Sequence, residues 1–444
     1  MPRVVTSAPS GLAFLQQRAL AAYHAGRLED ARQLCRDILR QLPDRPDVLS
    51  FTGMIALELG DAAEAAELYG RAVQRRPDFV EAYYNLGNAL MRLGRSEAAA
   101  EAYRRAAELK PDLVAAHNNL GNALHALGRD GEAAEAYRRV LRLAPDSPEV
   151  QRNLGITLEC SGKRGEAIDA YRAVIGRRPT WLLAHSNLAN ALLSSGEARA
   201  AIEAADRWLA LAPGNIEALS IKVLALYEAG EREAAAYLLD FTLVRRLKIE
   251  PPAGYATLKA FNHALVDFTL SHPTLHVPKA ADPHYHHPAL AITKTFFGPS
   301  EGPVAAFEAM VRRAVADYVA AIPPDSTHPF LAHPPKTWEF ASWAAVLHFQ
   351  GNLTPHIHLD GYLSGVYYPQ LPDLVGKPEQ GHAGFFELGP PPEQFPLKAA
   401  VDSMPIQPEE GLMVLFPSYF YHRTIPFEST QRRISIAFDA CPRA

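Results

Sequence analysis

The chain has 444 residues, 48% hydrophobic and 21% charged, an ordinary globular composition at a length too great for one compact core, so two or three units are expected. A formal net charge of −5 gives no general reason to expect nucleic acid or an anionic membrane as partner. Cys35, Cys160 and Cys441 lie far apart with no C-x-x-C pair, which offers no disulfide framework and fits a reducing compartment.

The N-terminal stretch "MPRVVTSAPSGLAFLQQRAL" lacks a long apolar core followed by a small-residue cleavage site, so no signal peptide is expected. No apolar run approaches the roughly 20 residues needed to cross a bilayer. The expected location is cytoplasmic.

After a short tail (residues 1–8), a 34-residue period governs the first half. Prolines fall at 43, 77, 111, 145, 179 and 213, glycines at 26, 60, 94, 128, 162, 196 and 230, and alanines at 31, 65, 99, 133, 167, 201 and 235. Three residue types in one register across seven units define an internal repeat. The expected unit opens a first helix with its proline, ends that helix near its glycine, and closes with a second helix whose alanines allow close approach. The stretch "YYNLGNAL…AAAEAYRRAAELKP" resembles the tetratricopeptide repeat (TPR). The resemblance spans residues 9–246 and implies an α-solenoid of about seven helix pairs, wound as a right-handed superhelix. Thr52 and Ile221 stand where inner repeats carry Leu and Asn, as expected of end units in a stacked array.

Asn85, Asn119, Asn153 and Asn187 recur at the same period, with Asn88, Asn122 and Asn190 three residues later. That spacing puts both sets on one face of the first helix, which lines the concave surface in proteins of this type. A carboxamide both donates and accepts, so it can hold the backbone of an extended peptide whatever its side chains. The ladder resembles the peptide-holding surface of protein O-GlcNAc transferases, which implies a protein or peptide partner. Asparagines there also serve as plain inter-helix hydrogen bonds, and that alternative stays open.

The period is lost after Asp240. "LKIEPPAGYATLKAFNHALVDFTL" reads as a transition and then a helix, and "GPVAAFEAMVRRAVADYVAAI" as a second helix. From about Trp338 the pattern turns to short apolar or alternating runs: "SWAAVLHFQ", "YLSGVYYPQ", "AGFFELG", "GLMVLFPSYFYHRT" and "RRISIAFDA". Such runs, broken by Gly, Pro and Asp, predict strands and a barrel or double-sheet jelly roll over residues 247–444. Trp343, Phe349 and Phe420 are expected in its core. "DPHYHHP", with His284, His286 and His287, has no regular element to fix it and reads as a solvated loop.

"PHIHLDG" places His356, His358 and Asp360 at alternate positions, and His422 follows 62 residues after Asp360. Two ligands from one strand and a distant histidine leave one face of a metal open, as in non-haem Fe(II) oxygenases. In "RRISIAFD", Arg433 and Ser435 alternate with Ile434 and Ile436, so one strand face carries a guanidinium and a hydroxyl. A buried Arg requires an anion, and its planar fork pairs best with a carboxylate. A dicarboxylate such as 2-oxoglutarate could chelate the metal at one end and meet Arg433 at the other. The 11 residues between His422 and Arg433 suffice for a turn and a return strand. Tyr368 is a second candidate partner for the distal carboxylate.

"HIHLDGYLSGVYY", "FFELGPP", "GLMVLFPSYFYHRTIPF" and "RRISIAFDACP" resemble the 2-oxoglutarate–Fe(II) oxygenase domain attached to bacterial TPR arrays, over residues 335–441. The resemblance implies a double-stranded β-helix, Fe(II), 2-oxoglutarate and O2, with release of succinate and CO2. Within it the H-x-H pair favours His356 and His358 with His422 as ligands, while the wider superfamily's H-x-D pattern would take Asp360 in place of His356. The Asp360–Gly361 dipeptide also favours a turn that rotates Asp360 off the strand face.

The resulting expectation is a 2-oxoglutarate-dependent Fe(II) dioxygenase that hydroxylates a side chain of a protein or peptide held by the TPR groove. Two other readings compete. One is a TPR interaction scaffold whose β domain has lost activity. The other is a cupin-like metalloenzyme that uses no keto acid and has no need of Arg433.

Overall fold

A computed structural model of the chain describes residues 11–278, 290–299, 301–322, 325–332 and 334–443, with the backbone alone for 349–351. His284, His286 and His287 lie outside the described residues. The chain divides into two compact units, Met1–Pro179 and Thr180–Ala444.

Among the described residues the first unit holds ten helices, from α1 (Gly11–His24) to α10 (Arg164–Arg177). The periodic glycines sit in the turns between paired helices. Gly94 links α5 (Val80–Arg92) to α6 (Ser96–Leu109) at φ 70°, a left-handed conformation that glycine adopts without a Cβ penalty. A second glycine set serves packing. In α7 (Val114–Ala126), a Cβ on Gly121 would lie 2.6 Å from the ring of Tyr137 on α8 (Asp130–Leu143). Tyr69, Tyr103, Tyr137 and Tyr171, also spaced by 34, are all sealed in this way, at 2% exposure or less. The periodic alanines are likewise 0% exposed.

The periodic prolines occupy a different place from the one expected. Pro77 lies between α4 (Ala62–Arg75) and α5, three residues ahead of the first residue of α5. It therefore stops the preceding helix, which a residue before proline cannot easily continue, rather than opening the next one.

The second unit begins with the last helices, α11 (Leu182–Ser194), α12 (Ala198–Leu211), α13 (Ile216–Ala229) and α14 (Arg232–Leu238). An antiparallel sheet follows. Its eight strands are β1 (Arg245–Lys248), β2 (Leu290–Ile292), β3 (Trp338–His356), β4 (Leu363–Gln370), β5 (Phe386–Leu388), β6 (Met404–Ile406), β7 (Leu412–Pro417) and β8 (His422–Pro442). The order is β1-β7-β4-β8-β3-β2, with β5 joining β6 and the start of β8. β1 pairs with β7, so the sequence boundary at 246 falls inside a strand of the sheet.

Helices α15 (Leu258–Leu270) and α16 (Gly302–Ala321) cover one face of the sheet. Val266 of α15 packs on Val346 and Ile434, and the Phe307 ring of α16 lies 5.1 Å from Tyr367 and 6.2 Å from Phe438. Side chains alternate along a strand, so the neighbours of Tyr367 and Ile434, namely Tyr368 and Arg433, face the other way. That opposite face holds the candidate site.

β8 is one strand from His422 to Pro442, not two strands joined by a turn. Its pairing with β3 slips between Leu347↔Arg433 and Phe349↔Ser429, where two steps on β3 face four on β8. Extra residues of this kind bend a strand. About 11 residues of straight strand would span roughly 36 Å, yet His422 and Arg433 line one cavity; the bend brings them together.

Candidate metal and anion site

His356 ends β3 and pairs across the ladder with His422, the first residue of β8. His358 lies just past β3, where Gly361 N–H donates to its carbonyl and closes a turn. One ring nitrogen from each of the three histidines lies within 4.8 Å of the other two. Ring centroids are 4.2 Å apart for His356–His422, 4.8 Å for His358–His422 and 5.3 Å for His356–His358.

The second nitrogen of each ring fixes which atom is offered. His356 Nδ1 donates to the Thr354 carbonyl at 2.8 Å, His422 Nδ1 to the Phe420 carbonyl at 3.1 Å, and His358 Nδ1 to the Asp439 carboxylate at 2.7 Å. Carbonyl and carboxylate oxygens only accept, so Nδ1 carries the proton in each ring. Nε2 is left with its lone pair, the form a metal requires. Burial, and then the neighbouring His356 and His358, hold the His422 imidazole well below its ordinary pKa, which keeps it neutral. Asp360 is exposed in the turn and outside this group.

Asp439 is 5% exposed and also accepts from Ser364 Oγ at 2.7 Å, so its carboxylate is anchored from two sides. Sequence reasoning passed over it. The available signal was an acid in "ISIAFDA" on a strand otherwise fit for burial, which calls for a partner.

A cavity of about 40 Å³ contains all three histidines together with Tyr368, Arg433 and Ser435. Arg433 is 1% exposed. Its Nη1 donates to Ser435 Oγ at 3.3 Å and its guanidinium lies 5.1 Å from the centre of the Tyr368 ring. Among the described residues its Nε and the Tyr368 hydroxyl are sealed from solvent and have no well-formed hydrogen bond, although guanidinium and phenol each favour the other's charged form. Burial pushes the guanidinium down from its ordinary pKa and the Tyr368 phenol up to about 12. Among the described residues no salt bridge meets Arg433, so its charge is buried uncompensated, a costly state that an anion relieves.

Trp343, expected in the core, is half-buried and lines this cavity, its ring centre 5.0 Å from that of His358 in an edge-on arrangement. Phe420 is fully buried, and the Phe349 side chain lies outside the described residues.

The donor set suits the groups the sequence implies. Three converging imidazoles bind Fe, Zn, Cu or Ni, and the Arg433 fork, which meets no carboxylate among the described residues, fits one together with the Tyr368 hydroxyl. The other His/Asp/Cys group, His125, Asp130 and Cys160, is less suited. His125 already bonds Asp130, and burial raises the Cys160 thiol, which disfavours the thiolate a metal needs.

The asparagine ladder is half-buried apart from Asn122, which is exposed. Asn88 Oδ1 accepts from Tyr103 at 2.8 Å and from Asn119 at 3.2 Å, and Asn122 Oδ1 accepts from Tyr137 at 2.7 Å. The Asn88 and Asn122 set therefore ties helices together. Asn85 has a 3.5 Å contact with Asn88, Asn153 accepts from Arg152, and Asn187 Nδ2 has no partner among the described residues.

Residues 341–439 match the family model described as "Putative 2OG-Fe(II) oxygenase". Residues 3–46, 52–114 and 153–216 match "Tetratricopeptide repeat", and 121–159 match "TPR repeat". Among solved structures the chain is similar to the MamA protein, at 23% identity and TM-score 0.37, over 38% of this chain and 92% of that one. It is also similar to a MamA fragment from Desulfovibrio magneticus RS-1, at 18% identity and TM-score 0.36, over 39% and 99%. A third is YrrB, described as a TPR protein with an unusual peptide-binding site, at 21% identity and TM-score 0.35, over 40% and 91%. No curated protein matches the chain. Among the described residues no helix is long and apolar enough to cross a membrane. The chain thus carries tetratricopeptide repeats in its N-terminal part and a domain of the 2OG-Fe(II) oxygenase family at residues 341–439.

Proposed function

We propose that this chain is an Fe(II)- and 2-oxoglutarate-dependent dioxygenase that hydroxylates a side chain of a protein or peptide, on a double-stranded β-helix scaffold. The observation that carries this reading is one cavity lined by three imidazoles with Nδ1 committed and by a buried guanidinium that meets no carboxylate side chain among the described residues. In this reading His356, His358 and His422 hold the metal, and Asp439 orients His358. Arg433, Ser435 and Tyr368 receive the far carboxylate of 2-oxoglutarate. When bound, Fe(II) with 2-oxoglutarate and O2 supplies the oxidising power, so that R–H becomes R–OH while 2-oxoglutarate becomes succinate and CO2.

The chain's own task is placement and exclusion of water. Trp343, Phe386 and Phe416 wall the cavity, which strengthens every electrostatic contact inside it. The repeats hold the polypeptide, with Asn85, Asn119, Asn153 and Asn187 offering amides to its backbone. A cupin-like enzyme without a keto acid has no use for Arg433, whose burial uncompensated is costly. An inactive scaffold has no use for three aligned tautomers.

Purified protein supplied with Fe(II), 2-oxoglutarate and O2 is expected to form succinate slowly even without substrate. Absence of succinate together with absence of metal uptake would overturn the reading in favour of a scaffold.

A further inference from the structure

A second cleft, of about 400 Å³, adjoins the histidines, and His356 stands in the walls of both. It lies wholly within the Thr180–Ala444 unit. One wall is the turn after β3, with Ile357 and Leu359; the other is Asn190 of α11 and Glu217 of α13.

The chemistry of this cleft is one-sided. Glu217 and Glu393 line it, and no Lys or Arg does. Glu217 Oε1 accepts from Asn190 Nδ2 at 2.9 Å and from Ser186 Oγ at 3.0 Å. Two neutral donors aim the carboxylate without neutralising it, and among the described residues Oε2 takes no hydrogen bond. Tyr421 is 8% exposed and lines the same cleft with a hydroxyl that no hydrogen bond holds among the described residues. Among the described residues that hydroxyl is not sealed, so a ligand group in the cleft can reach it and hydrogen-bond to it. Leu359, 60% exposed, adds an apolar rim.

We propose that this cleft receives a basic side chain of the polypeptide substrate, with its alkyl stem along Leu359 and Ile357 and its cationic head on Glu217 Oε2 and the Tyr421 hydroxyl. Long cationic side chains bury their stems while their heads stay hydrogen-bonded. The polypeptide is thereby anchored beside His356, which lines both this cleft and the histidine cavity. The inference rests on the oxygenase reading for its consequence but not for its test.

The test uses the full chain, free of iron, 2-oxoglutarate and O2. Two fluorescein-labelled peptides, Gly-Ala-Ala-X-Ala-Ala-Gly with X either lysine or its uncharged isostere norleucine, are titrated by fluorescence polarisation. The lysine peptide is expected to bind roughly tenfold tighter. Glu217→Gln is expected to bring the ratio close to one, and Glu379→Gln, an equal charge change at an exposed turn, to leave it intact. Equal binding of the two peptides by wild type overturns the proposal, as does an undiminished ratio in Glu217→Gln. If Glu217→Gln fails to fold, the wild-type ratio must still shrink with added salt and in Tyr421→Phe; a ratio indifferent to both overturns the proposal. Peptide discrimination with neither succinate formation nor metal uptake in the separate assay would support the cleft and refute the oxygenase. Succinate formation without discrimination would refute the cleft alone.

Discussion

His358 Nδ1 lies 2.7 Å from the Asp439 carboxylate across 81 residues of sequence, and that single bond decides which nitrogen His358 presents to the cavity. An acceptor held from two sides locks both tautomer and ring orientation. Asp439→Asn can present an amide donor instead and is expected to weaken Fe(II) binding by about 10- to 100-fold, read by anaerobic metal titration. Unchanged affinity would remove Asp439 from the site.

Arg433 makes the opposite kind of prediction, because in the proposed reading it meets the anion and not the metal. Arg433→Ala is expected to raise the 2-oxoglutarate dissociation constant at least about 30-fold, the lower end of a lost buried charge pair, with metal affinity unchanged. Arg433→Lys restores charge without the planar fork and should fall between. Equal binding in all three proteins would count against the clamp.

The repeats offer a test of packing independent of chemistry. Gly121→Ala drives a Cβ to 2.6 Å from the Tyr137 ring and should destabilise by about 1–3 kcal/mol. Gly70→Ala, mid-helix with nothing within 4 Å, should stabilise by about 0.5–1 kcal/mol. Melting followed by circular dichroism should shift in opposite directions.

For the ladder, Asn85→Ala with Asn153→Ala is expected to weaken polypeptide binding by several-fold, about 0.5–1.5 kcal/mol per lost hydrogen bond. The polarisation assay measures it. An unchanged dissociation constant would reassign these asparagines to packing, where Asn88 and Asn122 already serve.

The repeats were legible because their signal is local: a period of 34 in Gly, Ala and Pro needs no knowledge of distant partners. Spacing alone did not say which side of Pro77 the helix lies on. The candidate site residues were legible where they stand two residues apart, as in His356/His358 and Arg433/Ser435. What the sequence hid is non-local. β1, "RRLK", shows no apolar alternation and is a strand only because β7 pairs with it. The bend of β8 depends on a ladder slip against β3. Asp439 and Glu217 gain meaning only from His358 and from the cleft.

The most direct measurement is an anaerobic calorimetric titration of 2-oxoglutarate into the full chain with and without Fe(II). One 2-oxoglutarate per chain should bind tightly only when iron is present, and His422→Ala should abolish iron-dependent binding. Binding that ignores iron, or survives in His422→Ala, would contradict a single centre in which imidazoles and guanidinium grip one keto acid.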